Sequence, residues 1–229
     1  QTGFYSNHFK SIKQNPNNNL IAIGTMNGGL ITYDGEFNNY YSSNSGILDN
    51  SVFDTAFDQN NNIIITTPQA GLGILTENGS WIWLNNLNSN IISNSLKNVT
   101  VDINNNLWIT TLEDGLSHYI GNTFYNYNTS NSNLPDNKIN CLLFDDNNNL
   151  WLGTDSSGLI KINNPTITTI HDDNTIQQMG KRAKQYSDRL GISSNTPYMN
   201  SLEYFQKKQF SNVKSFINSR LTAARLGLK

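Results

Sequence analysis

Short apolar runs alternate with asparagine-rich turns along most of the chain, and one run recurs four times. It reads Leu20-Ile-Ala-Ile-Gly-Thr25, Asn62-Ile-Ile-Ile-Thr-Thr67, Leu107-Trp-Ile-Thr-Thr111 and Leu150-Trp-Leu-Gly-Thr154. The closing threonines are 42, 44 and 43 residues apart, and a Gly-Leu pair ending at Leu30, Leu72, Leu116 and Leu159 keeps the same intervals. A period of roughly 40–50 residues, built from short apolar runs with turn residues between them, predicts a β-propeller with one four-stranded sheet per repeat.

The third repeat shows how one unit is built. Leu96 to Asp102 alternates apolar and polar residues, as a strand with one buried face does. Ile103-Asn-Asn-Asn106 then turns the chain, because asparagine tolerates left-handed backbone and hydrogen-bonds the local main chain. Strands are predicted over 107–111, 116–120 and 123–127, and a polar link from Asn128 to Asn137 leads to the next unit. The other units run from about His8 to Asn50, from Ser51 to Asn94, and from Lys138 through Ile167-Thr-Thr-Ile170. Trp108 and Trp151 hold equivalent strand positions and are expected to fill the wedge between blades. The fold class is therefore all-β, a β-propeller of four roughly 43-residue blades over residues 1–175. Four blades are enough to close a small ring, and the alternative is an open arc completed by a partner copy.

After about residue 175 the period breaks and helical spacing takes over. Ile176, Met179, Ala183, Tyr186 and Leu190 form one apolar stripe, ended by Gly191. Asn200 with Glu203 makes a capping box ahead of a longer apolar face that includes Leu202, Phe205, Val213, Ile217 and Leu221. Residues 176–229 are thus expected to form a tail of two amphipathic α-helices.

Charge sharpens this division. The net charge is −2, but residues 1–175 hold 15 acidic and 5 basic side chains, and residues 176–229 hold 2 acidic and 10 basic. Opposite charge predicts that the tail docks on the propeller or on a protein partner. The candidate partner-binding residues are Lys181, Arg182, Lys184, Arg189, Lys207, Lys208, Lys214, Arg220 and Arg225. The basic residues form no dense run and no nucleic-acid reading motif, so no nucleic-acid partner is expected. With 36% hydrophobic and 14% charged residues the chain has the composition of a globular protein. No apolar run approaches the roughly 18 residues that span a bilayer. Gln1-Thr-Gly-Phe4 reads as a mature N-terminus, and the single cysteine, Cys141, excludes an internal disulfide and a cysteine-based zinc site.

The run from Ser130 through Leu134-Pro-Asp-Asn137 into Ile139-Asn-Cys-Leu-Leu-Phe-Asp-Asp-Asn-Asn-Asn-Leu-Trp-Leu-Gly-Thr154, with Gly158 and Leu159 after it, resembles the two-component regulator propeller repeat. The resemblance covers residues 8–170. It implies a β-propeller outside the inner membrane, as in the sensor regions of hybrid two-component systems and related secreted proteins, acting as a platform for ligand or protein recognition. Such sensors also carry more blades, a membrane segment and a kinase. None of these is in the 229 residues, so the expectation is recognition rather than signalling.

Three turns spell D-x-N-x-N, the opening of many calcium loops: Asp58, Asn60 and Asn62; Asp102, Asn104 and Asn106; Asp145, Asn147 and Asn149. Each lacks the central glycine and the distal glutamate, and strand-to-strand turns account for the same residues. His8, His118 and His171 fall in no motif with a nucleophile or paired carboxylates, so they read as surface or packing residues and no catalytic residue or cofactor is expected. Cys141 reads as core. Tyr40, Tyr41, Trp81, Trp83, Tyr125 and Tyr127 lie near the outer strands as exposed aromatics, where packing is one role and sugar stacking the other. The function expected is a non-enzymatic, extracytoplasmic recognition or assembly module, with a homo-oligomer or larger assembly as its setting. The alternatives are a glycan-binding lectin-like propeller and a structural subunit of a secretion or virion assembly.

Overall fold

The structure, a computed structural model, describes residues 6–163 and Pro165. The predicted helical tail and the predicted strand over 167–170 lie outside the described residues. Among the described residues, fifteen strands fall into four antiparallel meanders, each ordered as in the sequence. Blade one contains β1 (Phe9–Gln14), β2 (Ile21–Thr25), β3 (Leu30–Tyr33) and β4 (Phe37–Tyr40). Blade two contains β5 (Asp54–Phe57), β6 (Ile63–Thr66), β7 (Leu72–Leu75) and β8 (Trp81–Leu84). Blade three contains β9 (Leu96–Val101), β10 (Leu107–Thr111), β11 (Leu116–Ile120) and β12 (Thr123–Tyr127). The described part of blade four contains β13 (Ile139–Phe144), β14 (Leu150–Thr154) and β15 (Leu159–Ile162). The fold is a four-bladed β-propeller.

The landmarks of the repeat close its second hairpin. The hydroxyls of Thr25, Thr67, Thr111 and Thr154 donate to the carbonyls of Gly29, Gly71, Gly115 and Gly158 at 2.8, 2.8, 3.1 and 2.9 Å. The amide of each threonine donates to the same carbonyl. Each glycine has a positive φ, from 76° to 100°, a backbone state that costs other L-residues energy. The asparagines of the links are equally structural. Asn50, Asn94 and Asn137 offer their backbone carbonyls to Gly29, Gly71 and Gly115. Their side chains accept amides from Ser42, Asn86 and Thr129.

Alternation along each strand gives every blade two apolar faces, and consecutive blades pack face to face. Ala22 and Leu30 on the trailing side of blade one, with Val52 of the segment leading into blade two, meet Ile63, Ile65 and Leu75 of blade two. Ala56, Ile64 and Leu72 meet Leu107, Ile109 and Phe124. Trp108, Leu116 and Tyr127 meet Leu150, Leu152 and Ile162. Three seams thus bury three cores. The inner strands follow one another as β1, β5, β9 and β13, and among the described residues no comparable packing returns from β13 to β1. Among the described residues the four blades follow one another as an arc.

Candidate functional site

The three D-x-N-x-N segments form hairpin turns whose carboxylates face inward. Asp58 Oδ1 accepts the amides of Asn60 and Asn62, each at 2.8 Å, and Asp58 Oδ2 accepts Asn62 Nδ2 at 2.7 Å. Asp102 does the same with Asn104 and Asn106. Asp145 Oδ1 likewise accepts the amides of Asn147 and Asn149. The residue between, Asn61, Asn105 or Asn148, takes a left-handed φ of 57–65°. These oxygens hold their own turn, and among the described residues no group of three or more histidines, cysteines or carboxylates gathers to hold a metal.

In blades three and four the same carboxylate also receives an indole. Trp108 Nε1 donates to Asp102 Oδ2 at 3.2 Å, and Trp151 Nε1 to Asp145 Oδ2 at 2.9 Å. The residue across the strand differs. In blade three it is His118, buried and stacked on Trp108 with ring centroids 3.5 Å apart. In blade four it is Lys161, whose ammonium lies 5.1 Å from the Trp151 ring. His118 Nε2 stands 3.8 Å from Asp102 Oδ2, beyond hydrogen-bond distance, and among the described residues neither ring nitrogen has a hydrogen-bond partner. Burial lowers the His118 pKa, against the pull of Asp102. Burial also acts to raise Asp102, but the His118 ring, both nitrogens of Asn106 and the Trp108 indole outweigh it and hold the carboxyl at about 2. The arrangement is a packed core wedge with a neutral imidazole in it, so His118 is a packing histidine.

Both groups link stability to pH. Unfolded His118 takes up a proton below about pH 6.5 and the folded ring resists it, so its contribution is complete above that pH and declines as pH falls. The Asp102 contribution is present above the ordinary carboxylate pKa and is lost as pH falls towards about 2. The melting temperature is expected to drop in two stages on acidification, and His118→Phe to abolish the stage between pH 7 and 5. A full drop over that interval in the variant would overturn the assignment.

At the outer end of seam one, a shallow cavity of about 310 Å³ opens where β4 and its following loop meet β8. Asn38, Asn39, Tyr40, Asn44, Gly46 and Trp81 line it together with Ser45 and Gly79, all of them neutral. Trp81 stacks on Trp83 with centroids 5.6 Å apart, and Tyr40 meets Trp81 edge-on at 6.4 Å. Trp83 Nε1 donates to Gly46 O at 2.9 Å, and Asn44 Nδ2 to Asn39 O at 2.8 Å. A Cβ on Gly46 would lie 2.8 Å from Trp81 Cδ1, so only glycine lets the loop lie against the indole. Asn39 Oδ1 is buried with no hydrogen-bond partner among the described residues. A neutral cleft of amides beside half-buried aromatic rings suits a neutral, hydroxyl-rich ligand.

The structure separates the other aromatics. Tyr125 is on the surface of β12, whereas Tyr127 is fully buried in seam three, with burial pushing its phenol up to about 12. The expectation of an exposed Tyr127 is corrected: it sits opposite Leu116 in register and shares that residue's buried face. Cys141 is half-buried rather than core, and burial raises its thiol pKa. His8 is exposed. The nine basic partner candidates and His171 lie outside the described residues. The Asn39 and Gly46 contributions to the cleft were not foreseen, since period-two patterning marks Trp81 and Trp83 but not the loop from the preceding blade that faces them.

Comparison with known proteins adds to the geometry. Residues 133–156, from the link before blade four through β13 and β14, match the family described as two component regulator propeller. The extracellular domain of a hybrid two component system from B. thetaiotaomicron matches with a TM-score of 0.59 and 25% identity, over 69% of this chain and 24% of that one. The chain therefore spans about a quarter of the length of that domain. Virginiamycin B lyase from Staphylococcus aureus matches with a TM-score of 0.56 and 14% identity, over 71% of this chain and 53% of the lyase. A streptogramin B lyase matches with 0.58 and 16%, over the same shares. These two likenesses show the propeller fold alone. None of the curated proteins matches the chain in sequence. No helix among the described residues is long and apolar enough to cross a membrane.

Proposed function

We propose that the chain is a non-enzymatic recognition and assembly module that works outside the cytoplasm, with the basic segment 176–229 joining the propeller to a protein partner. The observation that carries this is the propeller repeat of blade four, together with the likeness to an extracellular sensor domain. The carboxylates of Asp58, Asp102 and Asp145 and the ring of His118 serve the blades themselves, which leaves recognition to surfaces rich in amides and aromatics. The test is crosslinking of the full chain in intact source cells, followed by peptide mass spectrometry. Crosslinks from Lys181, Lys184, Lys207, Lys208 or Lys214 to cell-envelope proteins are expected, with loss on changing these lysines to glutamine. Crosslinks confined to cytoplasmic proteins would overturn the proposal.

The cleft at Tyr40, Trp81 and Asn39 favours a second reading, in which the recognised ligand is a neutral glycan. Stacking of one sugar ring on an indole contributes on the order of 1 kcal/mol. Trp81→Ala is therefore expected to weaken binding about fivefold in calorimetric titration against a panel of neutral oligosaccharides. Absence of binding across the panel by the parent chain would end this reading.

A further inference from the structure

The outer strand of a blade turns backbone groups away from its sheet, and the link to the next blade covers some of them with asparagine side chains. Asn44, Asn88 and Asn131 donate to the carbonyls of Asn39, Trp83 and Asn126 at 2.8, 2.9 and 3.0 Å. Opposed residues of an antiparallel pair alternate between exchanging backbone bonds and turning both groups outward. Trp83 and Asn126 are thus outward-turned positions, and so, two residues earlier, are Trp81 on β8 and Phe124 on β12.

At Phe124 the cover is complete. Asn90, in the link between blades two and three, donates Nδ2 to the Phe124 carbonyl at 2.9 Å and accepts the Phe124 amide on Oδ1 at 3.2 Å. One carboxamide satisfies both outward groups of one residue. Seam one repeats this frame without the side chain. Trp83 holds the carbonyl of Gly46 at 2.9 Å, as Asn126 holds that of Asn90 at 2.7 Å, so the two links bring equivalent residues to equivalent places. Residue 46 has no side chain to offer, and among the described residues no hydrogen bond reaches the outward amide and carbonyl of Trp81. The cleft lies here. A Cβ on Gly46 would fall 2.8 Å from Trp81 Cδ1, so the chain cannot supply its own asparagine while the indole stands there. The cleft also holds an unused acceptor. Asn126 Oδ1 accepts the Ser117 hydroxyl at 2.7 Å, but the residue opposite Asn39 is Ile31, and Asn39 Oδ1 is left buried and unpartnered among the described residues.

We propose that the seam-one cleft binds the side-chain carboxamide of an asparagine or glutamine on a peptide segment of a protein partner, which takes on Trp81 the place that Asn90 takes on Phe124. The carboxamide oxygen accepts the Trp81 amide, one N–H goes to the Trp81 carbonyl, and the second N–H is left for Asn39 Oδ1. A primary carboxamide presents oxygen and N–H on one edge, whereas the trans amide of a peptide bond or of an acetamido sugar turns them to opposite sides. An added strand is a poorer fit, because Asn88 already takes the Trp83 carbonyl and the turn at Gly79 ends the strand, which leaves one residue open. The proposal rests on the reading of the chain as a recognition module and names the chemistry of one contact.

The test is nitrogen-15 correlation spectroscopy of the full chain, titrated with a short peptide that has a central asparagine and is blocked as N-acetyl and N-methylamide. Saturable movement of the Trp81 amide signal is expected, with affinity about tenfold or more lower when the central residue is aspartate, which cannot donate to the Trp81 carbonyl. Trp81→Phe combined with Gly46→Asn gives seam one the pair found in seam two, and binding read on the Tyr40 amide is expected to fall by a similar factor because the chain then covers itself. The same spectra report whether that variant folds, and Asn39→Leu, expected to weaken binding about fivefold, keeps the Trp81 signal if it does not. No movement at Trp81, or equal affinity for the asparagine and aspartate peptides, would overturn the proposal. Tighter binding of a neutral oligosaccharide than of the asparagine peptide at Trp81 would also overturn it and assign the cleft to glycan. None of these results alters the expected crosslinks from the lysines of 176–229, so the site and the recognition reading fail separately.

Discussion

Trp108→Ala is expected to destabilise the propeller by about 3–5 kcal/mol, the usual cost of removing a large buried aromatic side chain. Trp108 is fully buried in seam three, stacked on His118, in contact with the rings of Tyr127 and Phe144, and bonded to Asp102. Its loss opens a cavity between two blades and removes a donor from a carboxylate that is itself buried. Trp108→Phe separates the two effects. It keeps most of the packing and gives up the indole hydrogen bond, which to a charged acceptor is worth about 1.5–3 kcal/mol. Urea titration followed by circular dichroism measures both. A Trp108→Ala midpoint within the scatter of the parent would show that seam three does not depend on the indole.

Gly115→Ala is expected to cost about 2–4 kcal/mol, although it adds a single methyl group. Its φ of +100° is unfavourable for any side chain, and a Cβ there would collide with the carbonyl oxygen of Tyr127 on the neighbouring strand. Gly121 provides the control. It too has a positive φ, +51°, but a Cβ there meets nothing within 4 Å. Gly121→Ala should therefore cost only the conformational term, about 1 kcal/mol. Equal destabilisation by the two substitutions in the same urea experiment would rule out the collision as the cause.

Periodicity made the blades legible. The strands predicted over 96–102, 107–111, 116–120 and 123–127 differ from β9 to β12 by one residue at one end. A threonine and a glycine bonded across one hairpin tolerate little drift in spacing, and that is why the two landmarks keep register. Trp108 was legible as a seam residue because a bulky side chain on a central strand has nowhere else to pack. Tyr127 was harder. Its position opposite Leu116 fixes its face, but that follows only once the hairpin register of β11 and β12 is known. The aspartate turns show a different limit. Side-chain oxygens at alternate positions suit a cation or the turn's own amides equally well, and only the backbone path decides which they meet. The cleft was illegible for the simplest reason: Tyr40 and Trp81 are 41 residues apart and belong to different repeats. Their meeting is a property of seam one.

Four blades held by three seams are not held equally. Among the described residues blades two and three are each gripped on both faces, whereas blades one and four are each gripped on one. In a stacked array whose units are stabilised mainly by their nearest neighbours, local opening starts where a neighbour is missing. Among the described residues, local opening therefore starts in blades one and four, and the hydrogen bonds of β6 and β10 are the last to exchange with solvent.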